Sequence, residues 1–395
     1  MKSRRIIAAL TAAAAALSMI APSAASGAET AYFLKSDRVL TDTDYNVFAN
    51  PENADSAEEA AAYLRNAMKQ RKSSAAVTVP KNGYSNRDEA SLDILARSVS
   101  ETSAGDEGDY LRFALKSYNY GNEASQDGKI ILYYTMTYYS SAEDEKAVSE
   151  ALKGVEAELD CNGRSDYEKI CRAYDFVTSY VSYAEEYEDE RIFTAYGALV
   201  DRSCVCQGYT LLLYRILKDL GVDCRILSGT SGEERHTWNI VRIGDKYFFL
   251  DPTWDSSLGG TEGIFFLRGS NDFDALITEV AHIPVYEYEE IFPDYESAEF
   301  KAAYPQAEDR FILGDVDENG VIDGKDASYV LTCYAAMSVS GSNFSLPPVQ
   351  SAAADITGDC IIDGNDASGL LSYYAAVSAG KKLSLNEYLR QNRKS

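Results

Sequence analysis

Basic residues are scarce in this chain. Lys and Arg number 37 against 62 Asp and Glu, for a formal net charge of −25. So acidic a surface repels phosphate backbones and anionic bilayers, which excludes nucleic acid and an acidic membrane face as partners. Long apolar runs are missing too. Past the first 28 residues no stretch reaches the roughly 18 apolar residues that a spanning helix needs, so no membrane span is expected. There is no Pro/Thr or Ser/Gly linker. Histidine occurs twice, as His236 and His282. Tryptophan also occurs twice, as Trp238 and Trp254, and both read as core or as walls of a cleft. Cysteine is sparse and odd in number, with 7 in 395 residues: Cys161, Cys171, Cys204, Cys206, Cys224, Cys333 and Cys360. That excludes a disulfide scaffold and leaves at least one thiol free or paired outside the chain. Cys204 and Cys206 stand one residue apart, but no second Cys/His pair at zinc spacing accompanies them.

What is present is enough for a large core: 46% of residues are hydrophobic, and the length allows two or three domains. The first 28 residues read as a secretory signal peptide. Lys2, Arg4 and Arg5 form its positive end, residues 6–20 its apolar segment, and Ser26, Gly27 and Ala28 its small-residue end. The mature chain is therefore expected to be secreted.

The chemistry concentrates in residues 203–255. Cys206 precedes an apolar run at helical spacing: Leu211, Leu212, Leu213, Ile216, Leu217 and Leu220. A cysteine at a helix start feels the positive end of the helix dipole, which favours thiolate over thiol. His236 opens HTWNIV, which reads as a strand. Asp251 ends KYFFLD, a second strand beyond the turn signal Gly244-Asp245. Antiparallel pairing of the two would place His236 and Asp251 side by side, so that imidazole can deprotonate the thiol and the carboxylate can orient the imidazole. Asp255 is the alternative orienter; Asp251 is preferred because it directly follows an apolar strand. His282 is read as structural or surface.

CVCQGY, HTWN and DPTWD, in that order, resemble the transglutaminase-like superfamily, a papain-related fold with a Cys-His-Asp triad. The resemblance covers residues 165–282, including DYEKICRAYDFVTSYVSYAEEY, TAYGALVDRS and GIFFLRGSNDF. It implies Cys206 as nucleophile, His236 as base and Asp251 as orienter, with no cofactor for catalysis. It also implies that the helix after Ser165 packs beneath the catalytic helix. Upstream, residues 29–160 read as an α/β region of scaffold character. Ser56 and Glu59 form a capping box opening a helix to about residue 71. Strands are expected at 75–79 and 129–139, and helices at 88–99 and 143–159. A second capping box, Ser165 with Glu168, opens a helix whose apolar face carries Ile170, Tyr174, Val177 and Val181.

The last part of the chain repeats itself. DVDENGVIDGKDASYVLTCYAA starts at Asp315, and DITGDCIIDGNDASGLLSYYAA starts 40 residues later at Asp355. Each copy holds a calcium-loop pattern of oxygen ligands. In the first these are Asp315, Asp317, Asn319, the carbonyl of Val321, Asp323 and Asp326. In the second they are Asp355, Thr357, Asp359, the carbonyl of Ile361, Asp363 and Asp366. Position 12 is Asp rather than Glu, and no matching helix precedes each loop. Both features resemble a type I dockerin, the EF-hand-like two-repeat module of cellulosomal proteins in polysaccharide breakdown. That resemblance covers residues 311–380 and implies a cohesin partner contacted through Ala327, Ser328, Ala367 and Ser368. Thr357 and Cys360 depart from the pattern, so the second site is expected to bind calcium more weakly. Leu331, Tyr334, Leu371 and Tyr374 are expected to supply most of the remaining core of the tail, with Ile322 and Ile362 pairing across the loops.

The expected class is α+β. A signal peptide (1–28) precedes an N-terminal α/β region (29–160). A papain-like, transglutaminase-like catalytic domain with a short linker (161–308) follows, then a small all-α calcium-binding dockerin (309–395). The expected function is a secreted cysteine enzyme acting on peptide or amide bonds of a protein or peptide substrate, hydrolytic by default. The alternatives are a protein-glutamine transglutaminase and a catalytically silent binding module. A glycoside hydrolase would need a placed carboxylate pair, and none stands out.

Overall fold

The computed structural model describes residues 34–35, 41–81, 83–125, 127–185, 188–256, 263–275, 281–285, 291–339 and 346–392. The signal peptide expected at 1–28 lies outside the described residues. Among the described residues no helix is long and apolar enough to cross a membrane.

Two sheets carry the larger part of the molecule. The first has five strands: β1 (Leu34–Lys35), β2 (Glu52–Asn53), β3 (Ser74–Val79), β4 (Leu115–Ala124) and β5 (Ile130–Tyr138). Its order is β1-β4-β5-β3-β2, with β5 antiparallel to both neighbours. Helices α1 (Asp42–Ala49), α2 (Ala57–Lys69), α3 (Arg87–Ser98) and α4 (Asp109–Ala114) alternate with these strands. The start of α2 falls where the capping residues place it. Ser56 accepts from Glu59 N, but the Glu59 carboxylate reaches Asp55 N at 2.8 Å instead of the Ser56 N–H. Strand β4 was not expected from the sequence. Its polar LKSYNYGNEA lacks a clean alternation, and its pairing with β5 across Tyr118↔Met136 and Tyr120↔Tyr134 is what makes it a strand.

Helix α5 (Ala142–Leu159) leads to α6 (Asp166–Tyr180), which opens on a reciprocated Ser165–Glu168 capping box. A short pair follows, β6 (Ser182–Tyr183) with β7 (Ser203–Cys204), and then α7 (Cys206–Asp219). The second sheet is antiparallel throughout. It comprises β8 (Cys224–Ser231), β9 (Glu234–Ile243), β10 (Lys246–Leu250) and β11 (His282–Pro284), in the order β10-β9-β8-β11. Helix α8 (Pro252–Ser256) follows β10, and α9 (Ala298–Ala303) closes this part of the chain.

One apolar core runs through both sheets, from Ala54 to Ala307, so the boundary expected near residue 160 falls inside it. Buried charges cross the same line. The Asp109 carboxylate receives Arg225 Nε at 2.7 Å, Arg225 Nη2 at 3.1 Å and Ile226 N at 2.9 Å, and it also pairs with Arg112. Asp109 is fully buried, so its charge depends on these donors.

The tail contains α10 (Gly324–Met337), α11 (Pro348–Ala354), α12 (Gly364–Ser378) and α13 (Leu385–Asn392). Helix α11 runs directly into the second calcium-type loop, where no preceding helix was expected. The tail's own core is built on Val316, Val330, Cys333, Ile356, Ile362, Leu370, Tyr373 and Leu385, with Ile322 packed against it. Leu331, Tyr334, Leu371 and Tyr374, expected inside, are exposed. The repeat's YVLTCY and GLLSYY runs are apolar on both sides, and the packing of α10 against α12 selects Val330/Cys333 and Leu370/Tyr373. Ala352 and Cys360 join the main core instead, which ties the second repeat to α6.

Candidate active site

Cys206 is the first residue of α7, after an extended Val205. The first N–H groups of a helix have no intrahelical acceptor, and the dipole concentrates positive potential there. Of the seven thiols, six are buried and Cys206 is partly exposed. Gly208 lets this helix start close on β7: a Cβ at residue 208 would lie 2.5 Å from Cys204 Cβ and 3.0 Å from the Ile192 carbonyl oxygen. The Gln207 side-chain amide donates to the carbonyls of Phe113 (2.9 Å) and Phe193 (3.0 Å). Gln207 thus anchors the first turn, and Phe113 supplies that anchor from the N-terminal region.

The strand pairing puts His236 of β9 opposite Gly229 of β8, while Leu250 pairs with Asn239. Asp251 follows β10 and is fully buried. Its Oδ1 accepts from Thr253 N at 2.9 Å and Trp254 N at 3.1 Å, closing the start of α8. Its Oδ2 lies 2.8 Å from His236 Nε2. Cys206 is the imidazole's other close electrostatic neighbour. Burial alone would lower the His236 pKa, but the Asp251 carboxylate, and then Cys206, push it up to about 10. Burial likewise pushes the Cys206 thiol up, yet the His236 hydrogen bond and charge outweigh it, with Thr237 adding side-chain and backbone hydrogen bonds, and the thiol ends below its ordinary value. Burial resists ionisation of Asp251 as well, and the two histidines hold it well below the usual carboxylate range. The neighbouring thiol Cys204 has no such partner, and burial pushes it far up.

Asp255, the alternative orienter, points elsewhere. It accepts from Ile264 N (2.7 Å) and Phe265 N, and Tyr174 Oη lies 2.8 Å from its Oδ2. Burial pushes this carboxyl up to about 7.

His282 is neither a surface residue nor a remote structural one, contrary to the expectation. Its Nε2 lies 3.2 Å from Asp251 Oδ2, and its Nδ1 lies 2.6 Å from Asp274 Oδ1. Cys206, His236, Asp251, His282 and Asp274 therefore form one chain of contacts. Phe273, Trp254 and Trp238 surround the His282 ring at centroid distances of 4.4, 4.8 and 5.0 Å. β11 approaches β8 at Gly229, where a Cβ would sit 2.0 Å from the Ile283 carbonyl oxygen. A lone histidine after an uninformative segment carries no local signal for this contact. The scarcity of histidine was the only hint. A cavity of about 510 Å³ opens beside His282, lined among others by Leu227, Trp238, Phe273, Asp274 and Lys301.

Residues 153–252 match the family model of the transglutaminase-like superfamily, a span that includes Cys206, His236 and Asp251. The chain carries a transglutaminase-like domain. It is similar to kyphoscoliosis peptidase of Mus musculus, 26% identical over 162 residues, 37% of this chain and 24% of that protein. It is also similar to the Homo sapiens protein of the same name, 26% identical over 198 residues, 46% of this chain and 28% of that one. The chain thus spans about a quarter of the length of these relatives. Among solved structures, a TGase shares 12% identity with a TM-score of 0.26, covering 53% of this chain and 64% of that one.

In the tail, the first loop gathers Asp315, Asp317 and Asp326, with carboxylate oxygens within 4.8 Å of one another. Gly320 takes φ +83° at the sharp turn. Clustered hard oxygens of this kind fit calcium. Asn319, Val321 and Asp323 lie on the same loop. Asn319 N donates to Asp315 Oδ1 (3.0 Å), Val321 N donates to Asn319 Oδ1 (2.8 Å), and Asp323 caps α10. In the second loop, Asp355 Oδ1 accepts from Gly358 N (2.7 Å) and Asp359 N (3.2 Å), while Thr357 Oγ1 reaches Asp366 Oδ1 at 3.0 Å. Ile361 N donates to Asp359 Oδ1 (3.0 Å), and Asp363 caps α12. Of the four residues expected to meet a cohesin, Ser328 and Ser368 are exposed, but Ala327 and Ala367 are fully buried. Each alanine belongs to the tail's buried core, so neither is available to a docking surface.

Proposed function

We propose that the chain is a cysteine-dependent acyl-transfer enzyme that hydrolyses peptide or amide bonds, and that its calcium-loaded tail attaches it to a cohesin-type scaffold outside the cell. The carrying observation is the contiguous Cys206–His236–Asp251 array on the one partly exposed thiol. The Cys206 thiolate attacks the carbonyl carbon, and backbone N–H groups at the start of α7 stabilise the oxyanion. The His236 imidazolium gives its proton to the departing amine. His236 then takes a proton from water, which attacks the thioester. The acid leaves, restoring thiolate and imidazolium. Asp251 holds the ring, and His282 positions Asp251 from the far side.

Support for the tail's role comes from its duplicated loops and from the apolar residues that both repeats leave exposed: Leu331 and Tyr334 on α10, Leu371 and Tyr374 on α12. The first loop takes calcium more strongly; the second, with Thr357 and Cys360, takes it more weakly. Export rests on the leader-like first 28 residues.

The test is mass spectrometry of a protein mixture incubated with the enzyme and with its Cys206→Ala variant. New peptide termini that depend on Cys206 are expected. Isopeptide crosslinks would make it a transglutaminase, and an unchanged mixture would favour a silent binding module.

A further inference from the structure

We propose that Cys171, Cys360 and Asp355 hold a thiophilic divalent cation of the zinc class, with Asp175 beside it, and that this ion fastens the second repeat to the transglutaminase-like domain. The ligand atoms of these three residues lie within 4.8 Å of one another, and all three residues are buried. They come from chain segments 184 or more residues apart, so only the docking of the tail brings them together.

One helix face makes the other half of the site. Tyr167, Cys171 and Asp175 stand at i, i+4 and i+8 on α6, and all three meet the second loop. The Tyr167 hydroxyl donates to Asp355 Oδ2 at 3.1 Å, Cys171 Sγ lies within 4.8 Å of Cys360 Sγ, and Asp175 Oδ2 lies 3.7 Å from Cys360 Sγ. Two sulfurs on a tetrahedral zinc stand about 3.8 Å apart, so small inward movements complete the geometry. Two thiolates are soft donors and select such an ion over calcium. Asp355 Oδ2 accepts from Tyr167 on this face and from Cys360 N of its own loop at 2.9 Å, while Oδ1 accepts from Gly358 N, so the carboxylate bridges the helix and the loop.

The repeat supplies an internal comparison. The position of Cys360 is Gly320 in the first copy, and both have positive φ, +62° and +83°. Glycine is the residue that this backbone favours, so the second copy carries a thiol where conformation alone would select none. On binding, the two thiol protons leave to solvent, and no oxidant or reductant takes part.

The experiment titrates cadmium, then zinc in competition, into the full, reduced chain at saturating calcium. It is run in a Cys206→Ala background so that the partly exposed thiol is silent. The expected result is a thiolate-to-cadmium charge-transfer band that saturates at one equivalent and is reversed by zinc. Cys360→Gly suits the backbone and should keep the helical circular dichroism while abolishing the band; Cys171→Ala should abolish it too. The absence of a saturable band would overturn the proposal, as would a band that survives Cys360→Gly. A Cys171–Cys360 disulfide in peptide maps of the unreduced protein would also overturn it, replacing the ion with a covalent bond. None of these outcomes depends on whether Cys206 is catalytic.

Discussion

At the residue scale, the site is an electrostatic balance among buried groups. His236 rises because Asp251 faces one nitrogen, and Cys206 falls because His236 faces it in turn. Cys206→Ala should abolish turnover, while Cys204→Ala should leave most of it. Iodoacetamide at mildly acidic pH should alkylate Cys206 ahead of the other six thiols; uniform labelling would contradict a lowered pKa. Asp251→Asn should keep the fold and cut the rate by roughly two to four orders of magnitude, because the ring loses its orienting acceptor. Asp255→Asn should have a smaller effect, seen by the same assay. His282→Gln should cost roughly a hundredfold in kcat by loosening Asp251. It should also change the pH profile of Cys206 alkylation, a readout that a merely structural histidine would not move. The sign of the pH dependence follows from the shifts. His236 is raised from 6.5 to about 10, so its stabilising contribution is full below about pH 6.5 and is lost towards pH 10. Asp251 is depressed, so its contribution is present above about pH 4 and is lost as pH falls. The melting-temperature loss in His236→Gln should therefore be larger at pH 6 than at pH 10.

At the scale of elements, close approach and buried charge hold the site in place. Gly229 lets β11 reach β8 and deliver His282. Gly229→Val should displace β11 and lower activity while the far-UV spectrum persists. Asp109 joins α4 to β8 through Arg225. Asp109→Ala strands a buried guanidinium and should cost about 3–5 kcal/mol in denaturant unfolding. The helices α2 and α6 were legible because capping side chains and apolar periodicity agree there, and α5 was legible from its acidic and apolar alternation. Strand β4 was not, because cross-strand partners made it one. The inward face of α10 and α12 was misassigned by one residue, since Val330-Leu331 and Leu370-Leu371 offer equal apolarity on adjacent faces.

At the scale of the molecule, the N-terminal region, the thiol-bearing region and the second repeat share one core. Calcium should order residues 309–395, and chelation should open them to limited proteolysis in the full chain. Asp315→Ala with Asp326→Ala should lower calcium affinity more than the same changes at Asp355 and Asp366, as read by calorimetry. An equal loss from both pairs would show that Thr357 and Cys360 do not weaken the second loop. Taken alone, the sequence determined the groups whose neighbours are close in the chain or in strand register: the helix-start cysteine, the His–Asp pair across one hairpin and the ligand spacing of each loop. Local periodicity and a single turn are enough to define these. The tertiary structure decided what depends on distant segments meeting. It brought His282 to Asp251, Phe113 to Gln207 and Asp109 to Arg225. It also brought the second repeat to α6, because burial and hydrogen bonding between remote residues leave no period in the sequence.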